Sequence, residues 1–265
     1  MSKKVQLLSV SFGVCILFSI LFSDSVQATS SVPGEGLIEF QGTYPRQVID
    51  PEHPGESADP GGSPYTTGDL RIDYVPKFEF WKVKRVKTDQ VYYGNAQLFH
   101  GNTGVRGNYI QLSDYRATGG GWTLQVRQET QFRNEGTINK ELKGAVISLD
   151  KSWANSTSSS TAPLVSKEVI QMNRIGETYN LAEAKKGTGE GTWAIIFGAT
   201  NDNSQKMKNT LVPKLDSKGN PVVDSNFENK PIYENTALSL SIPGATKKDL
   251  VTYQTVITWI LSELP

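Results

Sequence analysis

The segment Gly119-Gly120-Gly121-Trp122-Thr123-Leu124-Gln125-Val126-Arg127 opens on three glycines and then alternates large apolar with polar side chains. Successive strand residues point to opposite faces of a sheet. The spacing therefore puts Trp122, Leu124 and Val126 on one face and Thr123, Gln125 and Arg127 on the other. A strand with one apolar and one polar face fits an antiparallel sheet that covers a core on one side and meets water on the other. The apolar side is read as core, where burying one tryptophan removes about 200 Å² from water and stabilises by a few kcal/mol.

The same Trp-x-Leu triplet returns 137 residues later, in Tyr253-Gln-Thr-Val-Ile-Thr-Trp259-Ile-Leu261-Ser-Glu-Leu-Pro265. Here Tyr253, Thr255, Ile257, Trp259 and Leu261 share one face, and Gln254, Val256, Thr258, Ile260 and Ser262 the other. Both faces carry apolar side chains, so two readings of Trp259 stand: a core side chain, or an exposed platform that stacks on a sugar ring.

Working outward from these segments, short β-prone runs separated by Gly, Pro, Asn and Ser clusters dominate, and no amphipathic helix exceeds about two turns. Candidate strands are Gly36–Gln41, Asp69–Tyr74, Lys77–Lys84, Asn108–Leu112, Gly121–Glu129, Leu142–Leu149, Glu168–Ile175, Thr192–Phe197, Thr236–Ile242 and Tyr253–Leu261. The pattern predicts an all-β fold, a two-sheet antiparallel β-sandwich with long Pro/Gly-rich loops. Residues 45–68 are rich in proline and glycine and poor in large apolar side chains. They are expected to form an extended loop within the domain, because they cannot bury enough surface to become a core element. Ser156–Thr161 and Asn201–Asn209 read as further loops.

Residues 1–28 are set apart. Lys3-Lys4, the apolar run Val5–Phe22 and the small-residue site Val26-Gln27-Ala28 spell a secretory signal peptide, leaving residues 29–265 as the mature domain. A retained membrane anchor is the competing reading, since the run is about as long as a minimal span. The serines and glycine inside the run, and the cleavage site behind it, favour the signal peptide. Cys15, the single cysteine, falls in that run, so the mature chain has no disulfide, thiol nucleophile or cysteine metal site. Removing Lys3, Lys4 and Asp24 from 27 basic and 27 acidic residues leaves 25 and 26. No global field then steers the chain toward nucleic acid or anionic lipid. The chain stops at Pro265 without a sortase-type motif, so any surface attachment is expected to be noncovalent.

Chemistry-bearing residues are sparse. His53 lies in the Pro/Gly loop and His100 in a His-Gly-Asn turn, with no serine elbow or metal spacing beside either. Asn201-Asp202-Asn203 departs from the spacing of an EF-hand loop. Asp73, Asp114 and Glu129 are the acids nearest to aromatics, and a glycan-cleaving pair would need two such groups to converge. Asp114, Tyr115 and Arg116 beside the glycine turn form the first candidate ligand surface, with a plain turn and surface ion pair as the alternative. Lys82, Lys84, Arg85 and Lys87 form a second, suited to anionic teichoic polymers, with a solvated strand face as the alternative. No catalytic, cofactor or metal residue is assigned.

These residues carry a family resemblance over nearly all of the mature chain. Gly120-Gly121-Trp122-Thr123-Leu124-Gln125-Val126 and the Tyr253–Pro265 ending resemble the two hallmark segments of the WxL domain proteins of low-GC Gram-positive bacteria. Asp50-Pro51, Gly68–Val75, Gln111–Arg116, Leu142–Ala145 and Gly191-Thr192-Trp193 are similar to further family stretches. Tyr115 and Ala117-Thr118 replace an Asp-Arg-Gly-Thr-like run, and Trp81 stands where a small residue is usual. The resemblance implies a secreted, cell-surface protein that binds peptidoglycan or an associated wall polymer noncovalently. It also implies assembly with other WxL proteins and with membrane-anchored WxL-interacting proteins, linked to adhesion. On that reading Trp122, Leu124, Tyr253, Trp259 and Leu261 are the signature residues. Two other classes stay open: a structural subunit that pairs strand edges with another surface protein, and a glycan-cleaving enzyme.

Overall fold

Each apolar alternation finds its partners across a sheet. In a computed structural model that describes residues 45–80 and 85–264, the strands in chain order begin with β1 (Leu70–Tyr74), β2 (Gln90–Asn95), β3 (Asn108–Asp114), β4 (Trp122–Gln128) and β5 (Val146–Leu149). There follow β6 (Ser152–Asn155), β7 (Leu164–Val165), β8 (Ile170–Met172), β9 (Thr178–Ala184) and β10 (Gly191–Phe197). The last are β11 (Leu211–Pro213), β12 (Val223–Asp224), β13 (Lys230–Pro231), β14 (Tyr233–Ile242) and β15 (Ile257–Glu263). Helix among the described residues amounts to one short 3-10 turn, Ser225–Phe227. The signal segment 1–28, the candidate strand Gly36–Gln41 and residues 81–84 lie outside the described residues.

Every pairing between these strands is antiparallel. Backbone bonding divides them into a sheet β1-β3-β10-β6, a sheet β15-β4-β9-β7, a sheet β11-β14-β5-β8 with β2 alongside β14, and a ribbon β12-β13. The chain is thus all-β and antiparallel, as expected, and its strands are hydrogen-bonded into several sheets packed on a common core. The three larger sheets share one buried cluster. Ile110, Leu112 and Ile195 come to it from the first, Trp122, Leu124 and Val126 from the second, and Ile147, Leu238 and Leu240 from the third. The burial of β4 alternates strictly along its seven residues, as its sequence spacing dictates.

The first sheet is buried on both faces. Away from the main core, Tyr74, Phe99, Tyr109, Trp153 and Ile196 form a second cluster, capped by Val48, Ala58 and Met207. Two of these caps belong to the Pro/Gly-rich stretch 45–68. That stretch is held by polar contacts that substitute for apolar burial. Asp50 takes a bidentate pair of bonds from Arg106 at 2.8 and 2.7 Å, and Asn155 Nδ2 donates to the Pro51 carbonyl at 2.9 Å. Glu52 accepts from the Thr200 hydroxyl and backbone and from the Gly107 N–H.

Several expected strands change their bounds: Tyr253–Leu261 becomes a strand only over Ile257–Glu263, and Thr236–Ile242 starts earlier, at Tyr233. Residues 77–80 are irregular: Phe78 packs edge-on to Trp259 and Phe80 to Phe132, so these rings pin a segment rather than line a strand. The run Leu142–Leu149 becomes a strand only from Val146, because Gly144 takes a left-handed φ of +76°. Glu168–Ile175 shortens to Ile170–Met172. Strands β2, β6 and β9 carry no clear mark in their own sequence. In β2, a Cβ on Gly94 would lie 2.4 Å from Leu238, so the glycine permits close packing inside the sheet.

Candidate functional site

The two Trp-x-Leu segments are neighbours. β15 runs antiparallel to β4 with Leu261 opposite Leu124, Trp259 opposite Val126 and Glu263 opposite Trp122. Trp122 is wholly buried, at 0% exposure, and its indole N–H donates to the Gly189 carbonyl at 3.0 Å. The surrounding glycines are steric necessities. A Cβ on Gly121 would sit 2.3 Å from the Ala184 carbonyl oxygen, and one on Gly189 2.9 Å from the Trp122 indole nitrogen. Leu124 is fully buried as well, whereas Trp259 and Leu261, on the end strand, are half-buried against the same core.

Asp114, Tyr115 and Arg116 bind inward. Asp114 is only 4% exposed and accepts both arms of the Arg116 guanidinium, at 2.9 and 2.8 Å. Arg116 also donates to the Gly120 and Gly121 carbonyls, at 3.0 and 3.2 Å, and pairs with Glu263 at 2.7 Å. One guanidinium thereby joins the end of β3, the glycine turn and the end of β15. The hydrogen bonds to Asp114 hold it above the usual arginine value, and partial burial opposes them. Tyr115 bonds Thr192 at 2.9 Å, with the Arg71 guanidinium over its ring. Tyr253 sits beyond the opposite end of β15. Its hydroxyl donates to the Asn139 carbonyl at 2.8 Å and accepts from the Asp249 N–H at 2.9 Å, so it clips two loops together.

The acids singled out for glycan cleavage each face their own arginine: Asp73 with Arg71, Asp114 with Arg116, and Glu129 with Arg127, all at 2.8 Å. His53 contacts Asp202 at 3.5 Å and His100 contacts Glu228 at 2.7 Å. Asn203 closes its own loop through the Thr200 and Met207 carbonyls. Among the described residues no three His, Cys, Asp or Glu side chains converge as a metal site would require.

An open cleft of about 470 Å³ lies beside the Pro/Gly stretch, lined by Glu56, Asp59, His100, Asn102 and Arg106 together with Asp50. Carboxylates, an amide and an imidazole on an open wall can hydrogen-bond the hydroxyl groups of a glycan. The sequence alone marks none of these residues as a site, because they come from two segments that only the fold brings together. The Asp50-Pro51 pair is the one visible signal.

The architecture defines an all-β domain whose two repeated motif segments serve as adjacent strands of one sheet. The family model described as WxL domain surface cell wall-binding matches residues 27–265, and the chain belongs to that family. Searches among curated proteins and solved structures return no match. Membership makes this a surface protein of the cell wall-binding class, and the family is defined by binding rather than by catalysis. Among the described residues no helix is long and apolar enough to cross a membrane.

Proposed function

We propose that this is a secreted protein that attaches to the bacterial cell wall noncovalently by binding peptidoglycan, catalyses no reaction, and works in a surface complex with other WxL proteins and membrane-anchored WxL-interacting proteins. The observation that carries the reading is the extent of the family match: the wall-binding domain takes up residues 27–265, nearly the whole chain. In this reading Trp122, Leu124, Trp259 and Leu261 are the frame, with Tyr253 and the Asp114–Arg116 pair fixing its loops. The cleft beside His100 and Asp59 offers the glycan its hydrogen bonds.

The test is co-sedimentation of the mature protein with purified sacculi. Pelleting at low and high salt is expected, and protein left in the supernatant under both conditions sinks the proposal. Glu56→Ala with Asn102→Ala, both on the exposed wall of the cleft, should weaken sedimentation without lowering Tm.

One observation favours a second reading, a structural subunit that pairs strand edges with another surface protein. β15 ends its sheet, and among the described residues its outer edge bonds no other backbone. An open edge is a template for an added strand. Recovery of a partner from a wall-free extract, by a chain that does not sediment with sacculi, would select this reading.

A further inference from the structure

We infer that the turn 243–248 builds a second binding site, distinct from the cleft, for a linear polymer of phosphodiester-linked units. The turn joins three segments that carry five basic residues: Arg85 and Lys87, Lys143, and Lys247 and Lys248. The turn wedges the segments together. Arg85 Nη1 donates to the Lys248 carbonyl at 3.5 Å, and the Thr246 hydroxyl donates to the Lys143 carbonyl at 2.7 Å. Gly244 donates to Asp89 Oδ1 at 2.7 Å and lies so close to residues 87–88 that a Cβ on it would meet the Lys87 carbonyl oxygen at 2.4 Å.

These cations form no close ion pair among the described residues. None of the five has a carboxylate within 4.0 Å among the described residues, unlike Arg106, Arg116 and Arg127 elsewhere in the molecule. The two acids beside them spend their hydrogen bonds elsewhere, although hydrogen bonds from Thr137 and Asn139, and behind them the Arg85 charge, hold the Asp249 carboxyl below its ordinary value. Asp249 accepts from the Thr137 hydroxyl and from the Asn139 side chain and backbone, and Asp89 holds Gly244. Lys248 is half-buried, and its Nζ is shielded from solvent and meets no hydrogen-bond partner among the described residues. A desolvated ammonium is costly to keep without an anion against it.

A single small anion would satisfy one such group. Separate charges spread over three segments instead match a chain that carries its charges at intervals, and each contact then adds a salt-dependent increment. The inference rests on the wall-attachment reading for its setting, because a surface protein that binds the wall meets polymers of this chemistry there.

The probe is purified poly(glycerol phosphate), titrated against the full mature chain. Affinity is expected to fall roughly tenfold between about 50 and about 200 mM salt. The triple variant Arg85→Gln, Lys247→Gln, Lys248→Gln should lose about tenfold or more, while removal of three exposed charges elsewhere, Lys167→Gln, Lys186→Gln and Lys218→Gln, should leave affinity unchanged. Lys248→Met alone should raise Tm and weaken the polymer, a combination that damage to the fold cannot give. Equal affinity of the triple variant and the parent, or equal losses in the two triple variants, overturns the site. Sacculi stripped of phosphodiester polymers separate this proposal from peptidoglycan binding. If the triple variant sediments with them as the parent does, peptidoglycan binding stands whatever becomes of the polymer site. If neither protein sediments while the parent still binds the polymer, peptidoglycan binding fails and the polymer site stands.

Discussion

Leu261 lies directly opposite Leu124, so the two Trp-x-Leu segments, 137 residues apart in the chain, form one antiparallel ladder. The ladder explains why the repeated triplet occurs in pairs. Each copy supplies one strand of a sheet whose inner face is the core; β15 has β4 as its one strand neighbour in that sheet, whereas β4 is also paired with β9 on its other side.

The tryptophans should differ in what their loss costs. Trp122→Ala removes a fully buried ring and the partner of the Gly189 carbonyl, and is expected to lower stability by about 3–5 kcal/mol. Trp259→Ala, on the half-buried end strand, should cost about 1–3 kcal/mol. Thermal melts check the order. Sacculus binding by the folded Trp122→Ala fraction should persist, and its loss in a protein of unchanged Tm would make the ring a ligand contact.

Arg116→Ala should be more harmful than an ordinary surface ion-pair deletion. It leaves the Asp114 carboxylate buried without its counter-ion and frees the glycine turn, at a cost of about 3–5 kcal/mol. Arg116→Lys should recover only part of this, because an ammonium cannot bond both carboxylate oxygens and two carbonyls in one plane. Urea denaturation of both variants measures the difference.

Ala117 stands in the left-handed region at φ +53°, in the run where the resemblance expects glycine. An alanine there is strained by about 1 kcal/mol, so Ala117→Gly should stabilise by somewhat less than that after its added unfolded-state entropy. A fall in Tm would show that the turn does not bear this strain.

Glu52 gives the stretch 45–68 a pH signature. Burial pushes its carboxyl above the ordinary value, against hydrogen bonds from Thr200 and Gly107 and the nearby Arg106 charge. The folded state therefore binds this proton more readily than the unfolded chain. The group's contribution is most favourable below its unfolded value of about 4.5 and declines as pH rises through the folded value. Glu52→Gln should thus match or exceed the parent at neutral pH and lose that advantage near pH 4, read as the difference in Tm across pH. Glu52→Ala leaves the Thr200 and Gly107 donors unmet and should cost about 2–4 kcal/mol.

Strands with a clear face are legible in the sequence. In β4 the alternation of Trp122, Leu124 and Val126 with Thr123, Gln125 and Arg127 assigns both the strand and its buried side, and the burial follows it residue by residue. β9 escapes such a reading because Ala182-Glu183-Ala184 at its end has no strand preference of its own, so its identity is set by pairing with β4. The stretch 45–68 is poor in large apolar side chains, as its composition says. What orders it, the Asp50–Arg106 pair, spans 56 positions and has no local signature.

Local pattern by itself determined the all-β class and the family, and set the expectation of an exported, thiol-free mature chain, because periodicity and motif are properties of neighbouring residues. Tertiary structure decided which side chains are spent on the frame and which are left to bind. Asp114, Tyr115 and Arg116 look in sequence like an exposed turn, yet their bonds run to residues up to 147 positions away, such as Glu263. Lys143 and Lys248 are unremarkable in sequence, and only the docking of the turn 243–248 ties the turn to the Lys143 carbonyl, through Thr246, and to Arg85, through the Lys248 carbonyl. Burial and charge proximity depend on contacts between distant segments, and no window of sequence contains them.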